Sequence, residues 1–562
     1  MKKLTLATLF TACSLWPATA QQVINPLTNA SWHQKYPFNS LCPDNSKAGC
    51  GAIAVGQILY YYKMPLQGFG HVIYNNVDVD LQANPIDWDN ICATYPSGGF
   101  GDARDLAVAN LISQVGAAMK MKYGSSSSPH NFPSMMWGLQ HYLHFAPQSR
   151  YRHRKYYSTA EWTEMINAEL EAGRPVFYRG DHTAPGTIAG HMYVIDGRDA
   201  QGHYHVNFGH ASKNEDKYVD LNIINQGEGT WPGIYSVSYH HRQAMVTDFY
   251  PVSGLTDSDY DPTALVLNSP MVLGGQPGAT TVVANKSVQA KFSFRYVNFI
   301  GGACQFALGF YKNGQLAAVT KTVRNTSLTD GGFGVNVDRA FQLPDQLAGG
   351  DYEMSLVSRD DENSPWVRGW ENAPNKIAVH VNNGTYTFTI PDYHCMETPL
   401  FIEDGTIREV NQGQANGKTL ELTLCNASSN NFEDSLRLEV TANGVKKKYE
   451  MATSVYDGQK LTYRFFVSYN DLDTSNGFMA KAFYRETTTG LWIPLGPHPT
   501  GMASEWAENG GRVEIYNTNG VLVRRVERQD IHDTYDIILG GLPKGIYIIR
   551  ENNATRKFVK RQ

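Results

Sequence analysis

Helical periodicity stops near residue 252, and that break limits what the chain can fold into. Before it, helical and strand signals alternate; after it nearly every apolar run alternates with period two. In the first part, Leu106, Ala109, Ile112, Val115 and Met119 recur at spacings of three and four, one face of an amphipathic helix between Asp102 and Met119. Ser158-Thr159-Ala160-Glu161 is a capping box opening a second helix through Leu170, which Gly173 and Pro175 stop. Val176 to Tyr178, Met192 to Ile195 and Tyr204 to Phe208 read as strands. In the second part, Lys312-Asn313-Gly314 and Ala442-Asn443-Gly444 each separate alternating runs, and Asn-Gly supplies the positive φ that a tight hairpin needs. The expected fold is an α+β domain followed by all-β, sandwich-like modules.

With 562 residues the chain exceeds one hydrophobic core, and at about 100–200 residues per domain it implies three or four. Gly254 to Pro262 reads as a linker. We therefore place an α+β domain at 21–252, a β-sandwich module at 263–391, a second at 392–499 and a β-rich C-terminal unit at 500–562. Residues 1–20 read as a signal peptide: Lys2 and Lys3, an apolar run from Leu4 to Trp16, then Ala18-Thr19-Ala20, with cleavage after Ala20. A competing reading makes Cys13 a lipidation cysteine, although Phe10 stands where such signals carry Leu or Val. Lys plus Arg total 48 against 53 for Asp plus Glu, so no basic excess exists to neutralise a nucleic-acid backbone.

Six cysteines survive that cleavage: Cys42, Cys50, Cys92, Cys304, Cys395 and Cys425. In an exported chain an even set reads first as disulfides, yet six is sparse for a disulfide scaffold. Cys50 has a distinctive setting. In Gly49-Cys50-Gly51-Ala52-Ile53-Ala54 it stands at the mouth of a helix, with small neighbours that let a substrate backbone approach. The positive end of a helix dipole favours the thiolate, and the Cys50 N–H can face a developing oxyanion. The competing reading is a half-cystine with Cys42 or Cys92, or a buried core thiol. A thiolate nucleophile needs an imidazole that takes and returns its proton. Among seventeen His, His191 follows Ala189-Gly190 and opens an apolar strand, which would display it at a cleft edge. Asn207, one turn and one strand later, is a candidate to orient that ring.

Taken together these residues resemble the streptopain-like cysteine peptidases, a papain-fold family of secreted bacterial proteases. Trp32-His33-Gln34-Lys35-Tyr36-Pro37-Phe38-Asn39 is similar to that family's entry segment, and Gly49 to Ile58 to its Gly-Cys-x-Ala-x-Ala-x-x-Gln-Ile stretch. Asp87 to Ile91, Lys122-Tyr123-Gly124-Ser125-Ser126 with the serines that follow, Gly190-His191 to Asp196-Gly197, and Tyr204 to Asn207 follow in the family's order. The resemblance implies a papain-like domain with Cys50 as nucleophile, His191 as general base and then acid, Gln34 as an oxyanion donor and Asn207 as orienter. Gly49, Tyr123, Gly124, Ser125, Ser126, Arg179, Gly190 and Phe208 would border the substrate, which would be a protein or peptide. It implies no metal and no organic cofactor.

The chain departs from that pattern in places. Phe208-Gly209-His210-Ala211-Ser212 replaces the family's Trp-Gly-Trp-Gly-Gly, and Arg179-Gly180 replaces Gln-Gly, with a longer loop from Asp181 to Ile188. Only about thirty residues separate the signal segment from Cys50, which leaves no room for the long inhibitory propeptide of many members. At the other end, Val513 to Gly520, Leu542 to Ile549 and Lys557 to Lys560 resemble the sorting domain of type IX secretion found in Bacteroidota. That resemblance implies the type IX machinery as a partner, and a secreted or outer-membrane surface location. An alternative keeps the scaffold but not the chemistry: an adhesin that binds host proteins or surface glycans through its β modules. A third reading takes His182, His191, His203, His205 and His210 as a metal cluster, but neither HExxH nor paired-Cys spacing supports it.

Overall fold

The computed structural model describes residues 22–124, 126–129, 132–184, 187–211, 217–221, 239–256, 259–260, 265–274, 280–297, 301–329, 335–371, 376–391, 393, 400–410, 416–426, 428–485, 490–496, 512–517, 522–527, 545–551 and 554–560. The signal segment with its cleavage point, Ser125 and Cys395 lie outside the described residues.

Among the described residues, four α-helices and a six-stranded sheet form the main body of the N-terminal unit. Helix α1 (Cys50–Tyr62) is buried from Gly51 through Leu59 and ends at Lys63, whose N–H donates to the Leu59 carbonyl. Helix α2 (Ala103–Ala118) opens on Asp102, whose side chain accepts from the Arg104 N–H. Ala109, Ile112, Val115 and Met119 are buried as their spacing predicts, but Leu106 is 61% exposed. Helix α3 covers Phe132–Leu143. Helix α4 (Thr159–Glu171) carries both halves of the Ser158–Glu161 capping box.

The strands are β1 (Arg150–His153), β2 (Val176–Ala184), β3 (Thr187–Arg198), β4 (Tyr204–Asn207), β5 (Lys217–Val219) and β6 (His241–Thr247), in the spatial order β1-β6-β2-β3-β4-β5. Every pairing is antiparallel. Strand alternation sends Phe177, Val194 and Val246 to the core shared with α1 and α2. It sends Tyr178, Tyr193 and Met245 to the opposite face, against Trp162 and Ile166 of α4. Asp196, fully buried on β3, accepts from the Thr28 N–H at 2.9 Å and the Thr28 hydroxyl at 2.7 Å, and pairs with His205 Nδ1 at 2.7 Å. That carboxylate ties the N-terminal segment to the sheet.

Residues 265–389 form two sheets over one core, Phe292, Phe294 and Phe341 meeting Phe306, Leu308, Phe310 and Phe388. Residues 401–494 form two four-stranded sheets with Leu422, Leu424 and Phe465 facing Leu436, Leu438 and Val440. Both Asn-Gly pairs make two-residue hairpin loops with positive φ, 50° and 78° at Asn313 and Gly314, 50° and 75° at Asn443 and Gly444. Residues 512–560 contain a four-stranded antiparallel sheet.

The 401–494 unit is docked on the N-terminal sheet through strands β7 (Phe432–Ala442) and β8 (Val445–Val455). His241 Nδ1 shares a 2.9 Å hydrogen bond with Ser454 Oγ, and His240 Nε2 one of 3.1 Å with the Tyr463 hydroxyl. Burial, reinforced by the charges of His240, Arg242 and Arg179, pushes the His241 pKa down to about 2. Its unfolded value is near 6.5, so below that pH the unfolded chain binds a proton that the fold refuses. The contribution of His241 is therefore complete above pH 6.5 and is lost as pH falls from 6.5 towards 2, at up to about 1.4 kcal/mol per pH unit. Melting temperature should drop between pH 7 and pH 5 and His241→Asn should flatten that slope; parallel curves for both proteins would refute the assignment.

Candidate active site

Cys50 opens α1, and Gly49 before it is the N-cap at φ 91°. That backbone suits glycine alone, and a Cβ there would meet Met121 Cε at 2.3 Å and the Ser127 carbonyl at 3.0 Å. The loop carrying Gly124, Ser126 and Ser127 thus packs against the turn that presents Cys50. Gly49→Ala should cost about 1–3 kcal/mol in stability and slow alkylation of Cys50, whereas unchanged melting and alkylation would show the turn to be tolerant.

Burial pushes the Cys50 thiol up, while the N–H groups of Met192, Gly51 and Cys50 itself, and the charge of Arg179, pull it down. Met192 Sδ lies 2.7 Å from where a Gly51 Cβ would stand, so Met192 packs on the residue after Cys50. His191 is the preceding residue on β3 and shares its face with Tyr193. Its Nε2 is 2.8 Å from the Phe208 carbonyl oxygen. A carbonyl only accepts, so Nε2 carries the hydrogen and Nδ1 keeps a lone pair. Around the ring stand His210 at 4.8 Å, Tyr239 at 5.2 Å, Tyr193 at 5.9 Å and Phe208 at 6.2 Å between centroids. Tyr239 was not foreseen from sequence; its carbonyl would lie 2.0 Å from a Cβ on Gly180, so only glycine fits there.

Gln34 is brought near by its backbone carbonyl, which accepts the Ala48 N–H at 3.1 Å, two residues before Cys50. Its half-buried side chain makes no hydrogen bond to another described residue. Asn207 departs from expectation. Its Nδ2 donates to the Ala30 carbonyl at 2.7 Å and its Oδ1 accepts the Gly209 N–H at 3.0 Å. The orienting acceptor on His191 is the Phe208 carbonyl instead, and Asn207 shapes the turn that aims it.

Other expectations change too. The Tyr123 hydroxyl turns inward, to Cys42 and to the space beside Gly116, so this ring packs in the core and does not line a cleft. Arg179 is not an open substrate reader: it pairs with Asp181 and stacks 4.5 Å from the Phe132 ring. Gly190 is exposed beside this pair. Cys42, Cys50 and Cys92 are free thiols, so the half-cystine reading of Cys50 is corrected. His203 pairs with Asp199 and His205 with Asp196, and among the described residues no three His, Cys, Asp or Glu converge as metal ligands.

Residues 32–218 match the Peptidase C10 family and residues 502–562 the secretion system C-terminal sorting domain; the chain carries both domains. Streptopain of Streptococcus pyogenes is 26% identical over 234 residues, 36% of this chain and 57% of streptopain. The thiol protease/hemagglutinin PrtT of Porphyromonas gingivalis is 28% identical over 247 residues, 40% of this chain and 26% of that protein. The structure of active interpain A cysteine protease of Prevotella intermedia is 29% identical and covers 41% of this chain and 95% of its own, with a TM-score of 0.37. The chain thus spans little more than half of streptopain's length.

Proposed function

We propose that this chain is an exported cysteine endopeptidase that cleaves protein or peptide substrates through a Cys50 thioester. The observation that carries the reading is Cys50 at the opening of α1, whose next residue Gly51 packs on Met192 of β3, with the adjacent His191 held by the Phe208 carbonyl. His191 Nδ1 takes the Cys50 proton as sulfur attacks the carbonyl carbon. The oxyanion is held by the Cys50 N–H and the Gln34 side-chain amide, a donor with no hydrogen-bond partner among the described residues. The imidazolium then protonates the leaving amine, and water, deprotonated by His191, hydrolyses the thioester. The loop at Gly124 and Ser126 and the exposed Gly190 border the substrate in this reading. The sorting domain supports export through type IX machinery to the medium or cell surface, after removal of residues 1–20, and the two-sheet units are read as Ig-like sandwiches.

Gln34→Ala should lower kcat about 10²–10³-fold with little change in KM, the loss expected for one oxyanion donor; an unchanged kcat would remove Gln34 from the mechanism. The reading itself is tested by labelling the mature protein with a peptidyl epoxide and mapping the adduct by mass spectrometry. Label on Cys50 that disappears in His191→Ala supports it. An unlabelled, reduced Cys50 leaves the scaffold reading, in which the β modules bind host proteins or glycans without turnover.

A further inference from the structure

Across the strand from Met192, whose sulfur packs on Gly51 next to Cys50, Arg179 begins a chain of charges that the mechanism above does not use. Arg179 and Asp181 lie two apart on β2 and so on one face of the sheet, where Arg179 Nη2 pairs with Asp181 Oδ1. A Cβ on Gly190, the residue before His191, would stand 3.0 Å from Asp181 Oδ1 and 3.5 Å from Arg179 Nη2. The other Asp181 oxygen faces Arg242 Nη1 at 3.7 Å.

Arg242 has left-handed backbone, φ 47°, in a bulge of β6 where its register against β2 shifts between His241 and Ala244. Bulges re-aim side chains, and a non-glycine residue in that conformation costs about 1–3 kcal/mol unless its surroundings hold it. Here the holding groups come from the 401–494 unit. Ser454 Oγ accepts the Arg242 N–H at 3.5 Å and shares the bond with His241. The Tyr456 hydroxyl accepts the Gln243 N–H at 3.3 Å. The Ser454 hydroxyl donates to Glu433 Oε2 at 3.3 Å, and Glu433 Oε1 lies 3.6 Å from His153 Nε2 and 3.8 Å from Lys155 Nζ.

We propose that Arg179 is a positioning charge for the Cys50 thiolate and that the second β module sets it: the module grips the bulge, the bulge aims Arg242 at Asp181, and Asp181 so held keeps the guanidinium beside Cys50. The inference rests on the peptidase reading. A nearby cation favours thiolate over thiol. Arg179 is faced by Cys50 from α1, Tyr151 and His153 from β1, Tyr193 from β3 and His241 from β6, with Asp181 on its own strand. Burial lifts both tyrosines above their ordinary range and drops both histidines below theirs. These four rings therefore stay neutral around the pH at which the thiol titrates.

The test is the rate of Cys50 alkylation by iodoacetamide across pH in the mature full chain, read by mass spectrometry. Arg179→Gln, which restores the residue of the family pattern, should react about fivefold more slowly at pH 6 and converge with the parent at high pH. Arg179→Lys should recover most of the rate. Ser454→Ala, remote from the thiol, should slow it about twofold, and the double variant should be no slower than Arg179→Gln alone because both act through one group. A parent-like profile in Arg179→Gln overturns the proposal, as do Ser454 and Arg179 effects that multiply. Should the parent Cys50 resist both iodoacetamide and the peptidyl epoxide, the peptidase reading falls first.

Discussion

Cys50→Ala and His191→Ala should each lower kcat by at least about 10³–10⁴-fold, and the double variant should be no worse than the poorer single one. Nucleophile and base act as one unit, so removing either removes the whole step. Asn207→Ala should behave differently. Its amide holds the Ala30 carbonyl and the Gly209 N–H, and its loss leaves buried partners unpaired at about 1–3 kcal/mol. Activity should fall only as far as the Phe208 carbonyl drifts from His191 Nε2, about 10–100-fold, accompanied by a lower melting temperature. Steady-state kinetics with melting curves decide the matter. An Asn207→Ala loss as deep as that of His191→Ala, with unchanged melting, would place the amide on the imidazole after all.

That contrast shows where sequence was informative. The capping box at Ser158 and both Asn-Gly loops were legible because each depends on local chemistry, whereas the strand expected to open at His191 begins at Thr187 and α2 is buried nearly all round with Leu106 exposed. Helix α1 is buried from Gly51 to Leu59 between α2 and the sheet, so periodicity carries no information about it. Strand β6 was not read at all. Its His241-Arg242-Gln243 run looks polar and unlike a core strand, yet both His241 and Gln243 are buried: Ser454 of another module partners His241, and Arg154, Tyr178 and the Leu221 carbonyl partner the Gln243 side chain. Tyr123 and Arg179 were placed at a cleft from their position in a motif; which way each side chain turns depends partly on Cys42 and Phe132, which lie far from them in sequence.

The same dependence predicts that the second β module is not a detachable appendage. Ending the chain at Ile390 should lower the melting temperature of the N-terminal unit by about 10–20 °C or leave it insoluble. The cut removes Asp457, which accepts the Thr159 N–H at 2.8 Å at the start of α4, and Asn431, whose amide donates to the Lys155 and Tyr157 carbonyls at 3.0 and 2.9 Å. It removes the Tyr456 ring lying 4.0 Å from the nearly buried Arg154 guanidinium, and the Tyr463 hydroxyl on His240. At about 1 kcal/mol for each hydrogen bond, with two buried tyrosines added at roughly 1.5–3 kcal/mol each, the interface contributes several kcal/mol. A whole domain is stable by only about 5–15 kcal/mol, and each kcal/mol is about 2–4 °C in a unit of this size. Calorimetry of the full and shortened chains reads the difference directly. A shortened chain that melts with the parent and keeps its Cys50 alkylation profile would detach the module from both fold and chemistry; one that aggregates on expression, with Ser454→Ala soluble but less stable, would show that the peptidase domain folds against it.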